Sequence, residues 1–358
     1  MQKMVYNQGK RVLFLLSFFI VLSCAKEDID DLSDTLYVRH KGADMPAHIY
    51  GDASEKVFLI ILHGGPGGDG LTYRSGTIKS EIEKTCAVVY FDQRGSGMSQ
   101  GRYSKDEISV DIMAEDVLAL VKVIRHKYGD DSQFFLMGHS WGGTLGTAVM
   151  LKDQDAFRGW IEVDGAHDAK GIYFEYPDNF RRVANEQIAA NRSVFFWEGV
   201  KDKIDGLDTT TYTDGDFYSM NREAYKAEEK LANDRIINKI KSSIQGELAV
   251  TAFFKNNFLT VGWSGSRTQS ILVEDQGIFE NLSYANRLNE ITIPSLILWG
   301  RYDMVVPTKF AQDAFEGLGS TSKELVIFED SGHSPMLVEP DLFAEEVIDF
   351  INEHKDSN

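Results

Sequence analysis

Ser140 stands in Gly138-His139-Ser140-Trp141-Gly142-Gly143, directly after the apolar run Phe134-Phe135-Leu136-Met137. A serine between a buried strand and a helix, with glycines on either side, sits on a tight and strained turn that lifts its hydroxyl to the top of a sheet. A hydroxyl is a poor nucleophile until a base takes its proton. His333, in Ser331-Gly332-His333-Ser334-Pro335, is the candidate base. Asp303, in Gly300-Arg301-Tyr302-Asp303, is the candidate for orienting that base and stabilising its charged form. Asp330 is nearer His333 in sequence and Asp164 ends an earlier strand, so both are rivals. Asp303 is favoured because it follows a buried strand at the usual acid position. The intermediate of acyl transfer also needs N–H donors aimed at its oxyanion. The backbone of Trp141, the residue after the nucleophile, supplies one; the loop after His63-Gly64 supplies the other, with Gly65 favoured. Pro66, Gly67 and Gly68 let that loop approach a substrate. His63 reads as a support for the loop, and Asp92 with Arg94 as a hydrogen-bonded brace.

These groups need a scaffold that gathers strand ends. Val57-Phe58-Leu59-Ile60-Ile61-Leu62 runs into the loop at His63; Ser295-Leu296-Ile297-Leu298-Trp299 runs into Asp303; Leu325-Val326-Ile327-Phe328 runs into His333. Every candidate lies just past the carboxyl end of a strand, where ligands bind in open α/β sheets. Thr35–Val38 and Ala47–Tyr50 look like a hairpin, and 87–91 and 160–164 like further strands. Met113, Val117, Leu120, Val121 and Ile124 share one face of a helix expected over Val110–Tyr128. The β-α alternation predicts a mostly parallel sheet with helices on both faces. Between 169 and 289 the alternation stops, and long polar helical stretches and aromatic clusters take over. That segment is expected to be a mainly helical cap inserted into a core of residues 35–168 and 290–358.

A chain of 358 residues, 43% hydrophobic and 26% charged, suits a globular enzyme of one large domain with an insertion, or two domains. The formal net charge of −18 argues against a nucleic-acid partner, since phosphate backbones are repelled. No His-Glu-x-x-His, paired cysteine cluster or dinucleotide fingerprint stands out, so neither a metal nor a cofactor is expected. At the N-terminus, Lys3, Lys10 and Arg11 precede a short apolar run from Val12 to Leu22. This reads as a signal peptide of residues 1–23. Its ending, Val21-Leu22-Ser23-Cys24, resembles a bacterial lipobox, which implies lipidation of Cys24 and a lipid anchor in the bacterial cell envelope. Residues 24–34 then form an acidic tether. Cys86, in an apolar run, reads as core filler.

His63-Gly-Gly-Pro-Gly-Gly68, Asp92-Gln-Arg-Gly-Ser-Gly97 with Ser99, Gly138-His-Ser-Trp-Gly-Gly143 and Gly300-Arg-Tyr-Asp303 together resemble the proline iminopeptidase family of α/β-hydrolases. The order oxyanion loop, Ser, Asp, His is the order of that fold. The resemblance covers roughly residues 35–165 and 290–355. It implies an α/β-hydrolase core and a serine aminopeptidase that releases an N-terminal residue, usually proline, from peptides. The family holds the substrate's free amine with cap glutamates. Trp197-Glu198-Gly199 resembles one such segment, which implies that Glu198, with Trp197, binds substrate. Phe253-Phe254-Lys255-Asn256 resembles the aromatic segment after the second glutamate; Val250 stands at that glutamate's place, and Glu247 is nearby but out of register. His139 stands where glycine is common in the family and is more usual in esterase-like relatives. Two alternatives remain open: an esterase, lactonase or amidase for a small uncharged substrate, and a surface lipoprotein that uses the fold only to bind. The complete Ser140, Asp303 and His333 set argues against the second.

Overall fold

A computed structural model describes residues 29–251 and 257–356. The expected signal peptide, Cys24 and the segment Phe253–Asn256 lie outside these residues. Among the described residues, nine strands form one sheet. They are β1 (Leu32–His40), β2 (Ala43–Gly51), β3 (Val57–Leu62), β4 (Ala87–Phe91), β5 (Gln100–Gly101), β6 (Gln133–His139), β7 (Gly159–Val163), β8 (Ser295–Gly300) and β9 (Lys323–Phe328). Their order is β1-β2-β4-β3-β6-β7-β8-β9, with β5 paired to β2. From β4 to β9 all neighbours are parallel, and the pairings of β2 with β1, β4 and β5 are antiparallel. The β1–β2 hairpin is longer than its sequence signal. β1 begins at Leu32, so Leu32, Ser33 and Asp34 belong to the sheet and not to the acidic tether.

Three helices accompany the first half of the sheet: α1 (Gly76–Ser80), α2 (Val110–Tyr128) and α3 (Trp141–Asp153). The α2 bounds match the expected span because the helix signals at both ends are strong. Ser109 caps its start by accepting from the Ile112 N–H, and Gly129 at φ 121° ends it. Every residue of β3 is buried, as a central parallel strand covered on both faces requires. Between β7 and β8 the described residues form no strand but the helices α4 (Ala169–Ala189), α5 (Val194–Asp205), α6 (Asp214–Asn233), α7 (Ser242–Val250), α8 (Phe258–Ser270) and α9 (Ile278–Asn281). This is the expected helical insertion. The core then resumes with β8, α10 (Lys309–Gly317), β9, α11 (Pro335–Val338) and α12 (Pro340–His354). No helix among the described residues is long and apolar enough to cross a membrane.

The strand order reverses at β3, which has β4 on one side and β6 on the other. The loops leaving the carboxyl ends of β3 and β6 therefore diverge to opposite faces and open a crevice. The oxyanion loop and Ser140 occupy those two ends. The last residues of β7, β8 and β9 continue the same edge, which gathers Asp164, Asp303 and His333.

Candidate active site

Ser140 has φ 57° and ψ −121°, a left-handed conformation that a non-glycine residue rarely holds. The turn is locked from both sides. Its N–H donates to the Val163 carbonyl at 3.0 Å, and its own carbonyl accepts from Gly143 at 2.8 Å and Ala166 at 3.0 Å. Close packing explains the glycines. A Cβ on Gly142 would lie 2.1 Å from the Leu62 carbonyl oxygen, and one on Gly138 2.2 Å from that of Gly142. Trp141 opens α3, so its N–H has no partner within the helix and is free to point at an oxyanion.

Of the three candidate acids, Asp303, the one favoured from sequence, pairs with His333. His333 Nδ1 lies 2.8 Å from Asp303 Oδ2, and both side chains are buried. Asp303 Oδ1 accepts from the Val305 and Val306 N–H groups, each at 2.8 Å, which fixes the carboxylate in plane. With Nδ1–H donating to Asp303, Nε2 of His333 carries the lone pair, and this buried atom has no hydrogen-bond partner among the described residues. Burial by itself would depress the His333 pKa, but the Asp303 and Glu228 carboxylates outweigh it and lift the imidazole above its ordinary value of 6.5. Asp330 is exposed, and its backbone is tied to Glu339 and Asn238. Asp164 is fully buried, with a carboxyl oxygen within 4.8 Å of a His333 ring nitrogen.

The loop after His63, the candidate oxyanion loop, is held by a buried hydrogen-bond network. His63 sits under it, with Nδ1 2.8 Å from the Gly64 carbonyl and Nε2 accepting from the Gln93 N–H at 3.4 Å. Gln93 also joins the two halves of the site. Its amide donates to the His63 carbonyl at 2.9 Å, and its oxygen accepts from the Trp141 indole at 2.9 Å. Arg94 forms a buried two-point pair with Asp116 at 2.7 and 2.8 Å. Asp92 accepts from Gly70 at 2.8 Å and Met98 at 2.7 Å, and burial raises its carboxyl to about 7. Asp92 and Arg94 thus brace loops.

Three residues to which sequence reasoning gave no part in the site belong here. His139 accepts at Nδ1 from the Tyr73 hydroxyl at 2.6 Å, and Nε2–H donates to the His333 carbonyl at 2.7 Å. The Tyr73 oxygen in turn accepts from the Gly64 N–H at 2.9 Å. One neutral imidazole therefore links the oxyanion loop, the serine turn and the histidine loop. Burial, with the neighbouring His333 charge, depresses its pKa to about 3. The ring nitrogens of His139 and His333 and a carboxyl oxygen of Asp164 lie within 4.8 Å of one another. Both His139 nitrogens and Nδ1 of His333 are engaged in hydrogen bonds, which tie this cluster into a polar network.

The third is Glu228. It reaches from α6 into the triad loops and accepts from the Met304 N–H at 2.9 Å and the His333 N–H at 3.2 Å. Burial, then the Asp303 charge, raises its carboxyl to about 7. Gly332 makes room for it: a Cβ there would stand 2.5 Å from Glu228 Oε2. The sequence signal was faint, a carboxylate among other charges on a polar helix.

A cavity of about 360 Å³ opens on Ser140. Gly65, Gly67 and Trp141 line it together with Ser140, so the residues expected to supply the oxyanion donors and the nucleophile share one cavity. Its walls are Ile172 and Tyr176 of α4, Phe217, Asn221 and Tyr225 of α6, Phe279 of α9 and Val305. Phe217 and Phe279 stack with ring centroids 4.0 Å apart. Among the described residues, no carboxylate lines this cavity. Glu198 does not reach it. Trp197 is fully buried in the cap with Val200 and Ile204, three and seven residues on, which fixes the inward face of α5. The next residue is rotated by about 100° on a helix and is turned out to solvent. Neither Trp197 nor Glu198 is a wall of the site, and this corrects the reading drawn from the Trp-Glu-Gly resemblance.

The alpha/beta hydrolase fold profile matches residues 57–197 and 207–340. The probable aminopeptidase YbaC of Bacillus subtilis is 23% identical over 294 residues, covering 80% of this chain and 86% of that protein. The proline iminopeptidase of Saccharolobus solfataricus is 26% identical over 328 residues, covering 88% and 92%. Among solved structures, VinJ superposes with a TM-score of 0.61 at 21% identity, covering 90% of this chain and 99% of VinJ. The sheet order, the inserted helices and the match over most of its length establish that this chain belongs to the alpha/beta hydrolase fold family.

Proposed function

We propose that this protein is a serine hydrolase that works through an acyl-enzyme. Ser140 Oγ attacks a carbonyl carbon while His333 Nε2 takes its proton. The N–H groups of Trp141 and Gly65 receive the oxyanion. His333 then protonates the leaving group, and water, activated by the same nitrogen, releases the acyl group from Ser140. Asp303 holds the Nδ1–H and stabilises the imidazolium. The observation that carries this reading is the strained Ser140 facing a cavity lined also by Gly65 and Trp141, together with a buried His333 that is paired to Asp303 through Nδ1 and whose Nε2 has no hydrogen-bond partner among the described residues. A fluorophosphonate probe should label Ser140, and Ser140→Ala should abolish labelling. Failure of the wild-type protein to label would leave the binding lipoprotein as the better account.

The favoured substrate is a peptide with a small N-terminal residue such as proline. The aminopeptidase and proline iminopeptidase relatives support this, and the aromatic walls suit one apolar ring as the acyl part. A second reading is an esterase or amidase for a small uncharged acyl group; it is favoured by cavity walls that, among the described residues, carry no carboxylate. A panel of free and nitrogen-blocked prolyl arylamides against p-nitrophenyl esters separates them. Preference for the free amine supports the peptidase, and equal cleavage of blocked and free amides supports the second reading. Lipidation of Cys24 belongs to the same proposal: Cys24→Ser should shift the enzyme from the membrane to the soluble fraction, since the several acyl chains of such an anchor hold far better than one.

A further inference from the structure

Asp164 is a buried acid for which the proposed mechanism has no use. It follows β7, next to β8, which leads to Asp303, so two neighbouring strands deliver carboxyl groups to one place. Its backbone is left-handed, with φ 44°, and is pinned by its N–H donating to the Leu298 carbonyl at 3.0 Å. A non-glycine residue holds that conformation only where its surroundings impose it. Oδ1 accepts from the Gly300 N–H at 2.9 Å, while Oδ2 is buried and receives no N–H or hydroxyl donor among the described residues. Two groups lie close to it. One is the Asp303 carboxylate, and the other is His333, with a ring nitrogen within 4.8 Å of an Asp164 oxygen. Glu228 faces the same space from α6 and His139 from β6.

Two carboxylates cannot both stay ionised at such close range in a buried site, so they share a proton. Asp303 receives three donors, from His333, Val305 and Val306, and Asp164 only one. The proton therefore rests on Asp164, and burial together with the Asp303 charge raises its carboxyl well above the usual range.

We propose that Asp164 is a second acid of the triad, a positioning residue that hydrogen-bonds Asp303 as the neutral acid and pairs with His333 itself when the Asp303 carboxylate is gone. In that exchange Asp164 gives up its proton to solvent, and the carboxylate so formed accepts the Nδ1–H of His333. The space vacated by Asp303 is the path it moves through.

This inference rests on the serine-hydrolase reading. Its test uses the rate at which a fluorophosphonate labels Ser140, because that rate does not depend on the natural substrate. Asp303→Ala should slow labelling by roughly 10- to 100-fold, against the ~10⁴-fold typical of losing a sole triad acid. Asp164→Asn should cost a few-fold in the wild-type background and a further ~30-fold or more in Asp303→Ala. A merely structural Asp164 would cost the same factor in both backgrounds, because independent effects add in free energy. The acid limb of the rate profile in Asp303→Ala should move on adding Asp164→Asn, since the carboxylate beside His333 is lost. Equal factors in both backgrounds, or Asp303→Ala as inert as His333→Ala, overturns the proposal. If Asp303→Ala does not fold, Asp303→Ser takes its place, with a hydroxyl for the Val305 and Val306 amides. A wild-type protein that never labels sinks the hydrolase reading instead, so the two failures are distinguishable.

Discussion

At the scale of single residues, the site is a set of groups whose environments push their proton affinities apart. In the proposed mechanism His333 must be neutral at Nε2 to accept the proton of Ser140. Its pKa stands above 6.5, because Asp303 and Glu228 overcome the effect of burial. Activity should therefore fall as pH drops through a midpoint above 6.5, and a pH–kcat/KM profile measures it. Glu228→Gln keeps an oxygen for the Met304 and His333 amides but removes the charge. The midpoint should then move to lower pH, and an unchanged profile would remove Glu228 from the electrostatics. Ser140→Ala and His333→Ala should each lower kcat by several orders of magnitude with the fold intact by circular dichroism.

At the scale of elements, close approaches decide what can be substituted. Helix α3 lies so near β7 that a Cβ on Gly146 would come 2.1 Å from the Trp160 ring. Gly146→Ala should cost about 1–3 kcal/mol of stability by overpacking, seen as a lower Tm. The contact between α6 and the histidine loop depends on Gly332 in the same way. Gly332→Ala drives a methyl group into the Glu228 carboxylate, so kcat should fall about tenfold or more, with a much smaller change in Tm. A variant with full kcat would mean that the α6 contact does not hold His333 in place.

At the scale of the whole molecule, burial of ionisable groups ties stability to pH. His139 titrates near 6.5 when unfolded and at about 3 in the fold. With the folded value depressed, its contribution is fully present above 6.5 and is lost as pH falls toward 3. Between pH 7 and 4.5 the loss from this residue amounts to about 2–3 kcal/mol. His139→Gln should flatten that part of a urea-unfolding pH series, and an equally steep series would assign the acid sensitivity to other groups.

The sequence by itself determined the parts that local signals dictate. Strand β3, helix α2 and the serine turn follow from an unbroken apolar run, a capped 3.6-residue period and a Gly-x-Ser-x-Gly spacing, and each reads without knowledge of its neighbours. The place of Asp303 was legible for the same reason, since it follows its own strand. What tertiary structure decided is which side chains from distant segments share a space. Glu198 looked like a substrate ligand in one dimension, yet the packing of Trp197 turned it away. The contacts of His139 with Tyr73 and His333, and of Glu228 with His333, span 66 to 194 residues, so nothing local in the sequence announces them, and only the sheet order and the folding of α6 over the strand ends bring these groups together.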